Sequence, residues 1–541
     1  MNISDRSIMG ADDQSIAEVD THSFAEADDQ SIMEADTQSF AEVDDQSIME
    51  NDTLSPAEVD DQSFTEADTH SLAEVDDQSI LKIHDRNLEK ANKNGSQHVP
   101  NEDLYAMSAV SLAAEIRKRR LGVEELTRAY LDRIDKYGGP DGLNCIAERN
   151  EAVLAQAKAM DNLDPFADQR NSPLFGLPIL IKDNIDVAGM HTTAGSLALA
   201  DNLVSADAPI TAALKHSGAL ILGKTNMTEF ANYTTVNMPG GYSSRGGQVL
   251  HAYDPKKNPS GSSSGSAVAM SAGLCAAAIG TDTSFSIVGC ATVNGVTGLK
   301  PTHGALSAQG IVPIAHSLDS AGPLTKTLED ALLVYSAMRT QTGTEHAACP
   351  VLPVKPLHPS EIRLAVNTSQ LKDVSPDQLA LCEGLLTAMA KDGTSIQEVL
   401  HPRVPEQRDI MRCEFLHDLE EYLAGTNARL RTLAEIVTFY EADPKHMMKY
   451  GDILLREALE QASGRMDDEI YRIAMDKRAQ LRAQLFADLK DIDACVMLGS
   501  TNLMHFVGFP SVALRLGMGE DGTPGESSCT EPMNAGCFPR L

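Results

Sequence analysis

Two stretches of the chain match patterns that hold a phosphate or a nucleophile, and their neighbours decide whether that chemistry can follow. Gly218-Ala-Leu-Ile-Leu-Gly-Lys-Thr225 satisfies the phosphate-loop spacing G-x-x-x-x-G-K-[ST]. A phosphate loop needs its strand before the first glycine, so that the four intervening N–H groups can wrap the anion. Here Ala219 to Leu222 are themselves the apolar strand and a helix precedes Gly218, so the match is a coincidence and Lys224 reads as a strand-end residue. Gly261-Ser-Ser-Ser-Gly265 satisfies G-x-S-x-G with Ser263 in the middle. A nucleophile elbow of that pattern follows an apolar strand, whereas Ala252 to Ser260 is polar, contains two prolines and reads as a loop. The serines need another explanation. A serine hydroxyl is a poor nucleophile until a base within hydrogen-bond reach takes its proton. A lysine can be that base only when neutral, and burial lowers its pKa toward that state. Lys182 follows the apolar run Ile179 to Ile181, which favours its burial.

The wider arrangement supplies that explanation. Asn258-Pro-Ser-Gly-Ser-Ser-Ser-Gly-Ser266 is followed by a small-residue helix, Ala267 to Leu274, and then by Ala277-Ala-Ile-Gly-Thr-Asp-Thr-Ser-Phe-Ser286. Gly295-Val-Thr-Gly-Leu-Lys-Pro-Thr-His-Gly304 comes later, while Leu177-Pro-Ile-Leu-Ile-Lys-Asp-Asn-Ile185 and Thr192-Thr-Ala-Gly-Ser196 lie upstream. In this order and spacing the chain resembles the amidase signature family. Within the family it is most similar to the peptide-amidase-like branch, through Gly241-Tyr-Ser-Ser-Arg-Gly-Gly-Gln248 and Asn294-Gly295.

The resemblance covers about Asp103 to Met518 and implies an amide hydrolase with a Ser-Ser-Lys triad. Lys182 falls on the lysine, Ser262 on the bridging serine that the family holds at a cis peptide bond, and Ser286 on the nucleophile that forms an acyl-enzyme. The backbone N–H groups of Thr283, Ser284 and Phe285 are the implied oxyanion donors. Asp282 and Thr281 are expected to brace the loop, and Arg245 either to contact substrate or to pair with an acid. His251 and His303 stand outside the triad and read as structural or surface histidines. The expected substrate is a small amide or peptide amide, and no metal or organic cofactor is required. The same motifs resemble an amidotransferase subunit that passes ammonia to a partner, which keeps that alternative open.

Several positions depart from the family pattern. Ser284-Phe285 stands where Gly-Gly or Asp-Gly usually precedes the nucleophile, Val288 where Arg or Thr is usual, and Cys290 where Pro is usual. A backbone that needs φ > 0 at the second position would make a Phe there cost about 1–2 kcal/mol. These changes raise the alternative of a catalytically impaired amidase fold. Gly508-Phe-Pro-Ser-Val-Ala513 resembles a late family strand, but after Gly522-Thr-Pro524 the final strands and helix do not follow. That ending, with the divergent residues 526–541, is expected to leave part of the sheet uncovered, as in a truncated chain.

The elements that hold these residues alternate between helical and strand-like spacing. Leu112 to Arg119, Val123 to Asp135 and Ala208 to Ser217 read as helices, with Pro209 in a first turn where its missing N–H costs nothing. Ile179 to Ile181, Leu220 to Leu222, Ile362 to Val366, Ile396 to Val399 and Ala494 to Leu498 read as strands, and Gln378 to Lys391 as a helix. A long helical region from about Asp409 to Asp491 contains Leu416 to Leu489, read as a helical subdomain or cover. The expected fold is α/β, a mixed central β-sheet covered by helices over residues 103–525.

The chain's 541 residues carry a net charge of -34, but residues 1–80 hold 23 acids and one base, so residues 81–541 carry only -12. The excess of acid argues against nucleic-acid or anionic-membrane binding. Residues 1–83 repeat an octad, with Asp at 12, 20, 28 and onward to 76 and Ser three places after each. The apolar offsets bury no face of a strand or helix, so disorder is expected there, followed by a linker over 84–102. Eight octads contain Ser-x-x-Glu, from Ser15/Glu18 to Ser71/Glu74, the spacing of a capping box and of sites that acidophilic kinases accept. The repeats are therefore candidates for a kinase or a protein partner. Nine cysteines without a C-x-x-C pair suggest neither a disulfide framework nor a zinc site, and with no signal peptide in view a cytoplasmic protein is expected.

Overall fold

Short apolar runs with no polar alternation form strands covered on both faces, and the centre of this molecule is built from them. The computed structural model describes residues 101–515 apart from 165, 340–356, 370–375, 402 and 498–501. The acidic repeats, the linker up to residue 100 and the tail from 516, with the disorder and the uncovered sheet expected of them, lie outside the described residues. The strands in chain order are β1 (Ile146–Arg149), β2 (Pro178–Lys182), β3 (Leu220–Thr225), β4 (Tyr242–Ser243), β5 (Gly247–Gln248) and β6 (Ala277–Asp282). They continue with β7 (Thr297–Lys300), β8 (Ser320–Thr325), β9 (Arg363–Asn367), β10 (Ser395–Val399), β11 (Ala494–Met497) and β12 (Ser511–Ala513).

Seven of them form one mixed sheet in the order β1-β3-β2-β6-β8-β7-β12. β2 runs parallel to β3 and β6, and the remaining neighbours pair antiparallel. Every residue of β2, β3 and β6 is buried. The helix Pro209–His216, with Pro209 in its first turn, connects β2 to β3, and the helix Ser264–Ser271 leads to β6. Crossover helices of this kind are what parallel neighbours require. A second sheet, β10-β9-β11, is wholly parallel and packs on the helix Pro376–Lys391 through Leu364, Val366 and Cys382.

The structure adds detail to the helical region and to the cysteines. The long helical region divides into Glu406–Ala424, Leu433–Ala442, Pro444–Met447, Ile453–Gln461 and Glu469–Asp488. A capping box between Thr432 and Glu435 starts a new helix, and Gly451 and Gly464 take left-handed φ values of 91° and 70° between later ones. The role as a cover holds: Phe415, Leu419 and Tyr440 pack against Phe230 and Tyr233, with Tyr233 and Phe415 ring centroids 4.6 Å apart. Cys382 is disulfide-bonded, which the expectation of no disulfide framework left open, while Cys145, Cys275, Cys290, Cys413 and Cys495 are buried. Sequence spacing carries no signal for two cysteines that only the fold brings together.

The helix Ser264–Ser271 owes its position to its small side chains. A Cβ added at Gly265 would lie 2.2 Å from the Asn226 carbonyl oxygen and 2.6 Å from that of Cys145. Backbone cannot yield as a side-chain tip can. Gly265→Ala is therefore expected to lower stability by at least about 1–3 kcal/mol, read as a fall in the urea midpoint; an unchanged midpoint would show that the helix can shift outward freely.

Candidate active site

The apolar strand β2 ends in Lys182, whose side chain is 0% exposed. Its Nζ donates to Ser262 Oγ at 2.7 Å and Thr281 Oγ1 at 2.8 Å, with the Thr281 carbonyl oxygen at 3.4 Å. Burial lowers its pKa to about 7, against the weaker opposing pull of Cys290, Asp282 and Asp319. Ser262 follows a cis Gly261–Ser262 peptide, and its hydroxyl reaches Ser286 Oγ at 3.0 Å. Lys182, Ser262 and Ser286 thus form one continuous hydrogen-bonded chain, as their motif positions predict. The serines beside Ser262 are structural. Ser263 Oγ donates to the Thr281 carbonyl at 3.0 Å, and Ser266 Oγ donates to that of Ile279 at 3.0 Å and meets Thr225 Oγ1 at 2.7 Å. These bonds satisfy buried hydroxyls and tie the serine-rich turn to β6 and β3.

The loop from Asp282 to Ser286 is held from several directions. Asp282 Oδ2 accepts the N–H of Ile287 at 2.7 Å and of Val288 at 3.3 Å, and its Oδ1 meets His505 Nδ1 at 2.8 Å. Burial alone would raise this carboxyl, but the charge and hydrogen bond of His505, the Lys300 ammonium and the backbone donor bring it down to about 2. Asp282 braces the loop, whereas Thr281 bonds to Lys182, Asn184 and Ser263 instead. Thr283 Oγ1 donates to Asp319 Oδ1 at 2.5 Å, and the Thr283 carbonyl accepts from Gln407 Nε2 at 2.9 Å. Asp319 is buried, which pushes its carboxyl up to about 7 despite the bonds from Thr283, Ile314 and Ala315. The N–H groups of Thr283 and Ser284 have no acceptor among the described residues. Phe285 adopts φ 70°, the left-handed conformation that its place in the motif suggested.

Arg245 pairs with an acid: its Nη1 lies 3.8 Å from Asp183 Oδ2. Lys224 is buried inside β3, where its Nζ donates to the His191 carbonyl at 3.0 Å and Thr192 Oγ1 at 3.1 Å. His251 Nε2 lies 3.0 Å from the Val293 carbonyl and His303 Nε2 lies 2.9 Å from that of His316, both structural contacts. Sequence reasoning missed His505, Asp319 and Gln407. His505 and Gln407 come from segments that carry no motif for this loop, so no local pattern could have revealed them. A cleft of about 780 Å³ lined by Asp186, His316, Asp418 and Tyr422 touches the loop only through Asp319 and includes none of the three triad-position residues. His316 and Asp418 on its wall and Glu414 behind them are close enough together for a metal, but their ligand atoms already have partners. His316 Nδ1 meets Asp418 Oδ2 at 2.9 Å, and Glu414 accepts from the Ser317 N–H and the Tyr471 hydroxyl.

A family model for amidases matches residues 125–510. The chain belongs to the amidase family. A probable amidase of Arabidopsis thaliana is 30% identical over 75% of this chain and 83% of its own length. A peptide amidase structure from Stenotrophomonas maltophilia is 32% identical with a TM-score of 0.68, covering 77% of this chain and 91% of that one. A glutamyl-tRNA(Gln) amidotransferase subunit from Exiguobacterium sibiricum is 38% identical, but over 46% of this chain and 50% of its own. The amidase fold expected from the motifs is the fold observed, and the chain is an amide-hydrolysing enzyme of this family.

The strain at φ 70° should show in the side chain tolerated there. Phe285→Val, β-branched at a left-handed position, is expected to cost about 1–3 kcal/mol of stability. Phe285→Gly relieves the backbone while losing the ring and should move the urea midpoint little. Equal losses in both variants would show that ring packing outweighs the backbone.

Proposed function

We propose that this amidase cleaves the carbon–nitrogen bond of a small-molecule or peptide amide through Lys182, Ser262 and Ser286 and a Ser286 acyl-enzyme. The observation that carries the reading is the chain from Lys182 Nζ to Ser262 Oγ to Ser286 Oγ, with spacings of 2.7 and 3.0 Å and its lysine out of solvent. With Lys182 neutral, its lone pair takes the Ser262 proton as Ser262 takes that of Ser286. Ser286 Oγ then attacks the amide carbon. The negative charge that develops on the carbonyl oxygen is met by the N–H groups of the 283–285 turn. When the C–N bond breaks, the proton held on Lys182 passes back through Ser262 to the departing amine. Water then adds to the ester carbon, gives a proton to the same relay, and releases the carboxylic acid as Ser286 recovers its proton. Release of the ammonia or amine to solvent, rather than its passage to a partner enzyme, is favoured by the long match to amidases, against the half-length match to the amidotransferase subunit. No described helix is long and apolar enough to cross a membrane.

Two outcomes test this reading. A fluorophosphonate should label the wild-type protein at Ser286, and Ser286→Ala should abolish labelling and lower amide turnover by at least about 10³-fold; labelling that survives in Ser286→Ala would overturn the assignment. The base acts only when unprotonated. With Lys182 brought to about 7 by burial, kcat/KM should therefore level off above that pH and fall about tenfold per unit below it. A flat profile from pH 5 to 8 would remove Lys182 as the base.

A further inference from the structure

The short helix Leu503–Phe506 brings a histidine from near the end of the described chain into the nucleophile loop. It is anchored from outside. Asn502 exchanges two hydrogen bonds with the Val404 backbone, at 2.9 and 2.6 Å, and Arg478 Nε donates to the Phe506 carbonyl at 2.6 Å. His505 is 1% exposed and touches the loop twice. Its Nδ1 lies 2.8 Å from Asp282 Oδ1 and 3.4 Å from the Phe285 N, and its ring packs on the Phe285 ring with centroids 4.5 Å apart.

One ring nitrogen cannot serve both neighbours in the same way. If Nδ1 carries the proton, it donates to Asp282 and cannot accept from Phe285. If Nδ1 is bare, it accepts the Phe285 N–H and faces a carboxylate without a donor. In either state the imidazole ties the Asp282 carboxylate and the Phe285 backbone to one point. The other oxygen of Asp282 accepts the backbone N–H groups of Ile287 and Val288. The Phe285 N–H points at Nδ1, so the N–H groups of Thr283 and Ser284 are the ones left without an acceptor among the described residues.

We propose that His505 is a positioning residue for the oxyanion-binding turn: tied through Nδ1 to Asp282 and to the Phe285 N–H and packed on the Phe285 ring, it holds the turn so that the N–H groups of Thr283 and Ser284 are left to meet the oxyanion. This rests on the Ser286 reading above. It explains how a phenylalanine can stand before the nucleophile. The ring that would otherwise swing over the turn is pinned against the imidazole, on the side from which Asp282 is also held. His505 Nε2 is buried and without a partner among the described residues, so the contacts that fix this side chain are the ones it makes to the loop.

Two measurements test it. Against an amide that wild type turns over, His505→Ala should lower kcat by about 10²–10³-fold, the range for losing an oxyanion donor, with KM changed less than about threefold. His505→Asn, whose amide N–H can reach Asp282, should recover most of that loss. Full activity in His505→Ala, or no recovery in a folded His505→Asn, overturns the proposal. Should His505→Ala fail to fold, His505→Gln decides in its place. Its amide stands one methylene further from the backbone than in His505→Asn and lacks the ring, so it should lose kcat as His505→Ala would, and full activity in a folded His505→Gln overturns the proposal. Fluorophosphonate labelling keeps the two readings separate: loss of the Ser286 reading removes labelling from wild type, whereas failure of the His505 role leaves Ser286 labelled and His505→Ala fully active.

Discussion

A lysine held wholly out of water by hydroxyls, with no carboxylate in contact, is the constraint around which this site is arranged. Removing an ammonium from water costs several kcal/mol even after relaxation, unless the group is paired or becomes neutral. Lys182 and Lys224 show the two responses. Lys224 has Asp183 Oδ1 at 3.8 Å, and that pairing partly offsets its burial. Lys182 has only Ser262, Thr281 and a carbonyl as acceptors among the described residues, and its pKa falls to about 7. A neutral amine beside two serine hydroxyls is a usable base, so in the proposed mechanism the cost of burial becomes the source of reactivity. The strands provide the burial: Lys182 ends a strand flanked by β3 and β6, each of which is buried along its full length.

In the proposed mechanism the loop from Asp282 to Ser286 meets a second demand, which is to present N–H groups to the oxyanion while the chain turns sharply. Asp282 serves as the pivot. It accepts from Ile287 and Val288 on its own loop and meets a histidine more than two hundred residues away. Thr283 is pinned through its hydroxyl to Asp319 and through its carbonyl to Gln407. The turn is thus fixed by side chains from β6, from the segment before β8, from the helical cover and from the last short helix. The departures at positions 284 to 290 sit inside this bracing, where Phe285 keeps the left-handed backbone that glycine would adopt without cost. Retaining the backbone path matters more to such a turn than retaining the residue type, because the working groups are peptide N–H donors.

Much of the architecture is readable in the sequence where one local property dominates. Strands buried on both faces appear as unbroken apolar runs, so Ile179 to Ile181 and Leu220 to Leu222 lie within β2 and β3. Pro209 marks a helix start because only a first turn tolerates its missing N–H. The false phosphate loop fails on the same local grounds, and its lysine is inside a strand. Where several short-range signals compete, boundaries are lost. The region from Asp409 to Asp491 has helical composition throughout, yet caps and left-handed glycines cut it into separate helices.

The sequence by itself determined the family, the positions of Lys182, Ser262 and Ser286, and the mixed sheet that holds them, because these follow from motif order and from apolar runs along a continuous piece of chain. Only the tertiary structure decided that Arg245 faces Asp183, that Cys382 forms a disulfide, and that Asp319, Gln407 and His505 hold the nucleophile loop. The reason is one of distance. A hydrogen bond depends on two groups meeting within about 3 Å, and for His505 and Asp282 that meeting is set by how a distant helix docks, which no local pattern of residues encodes.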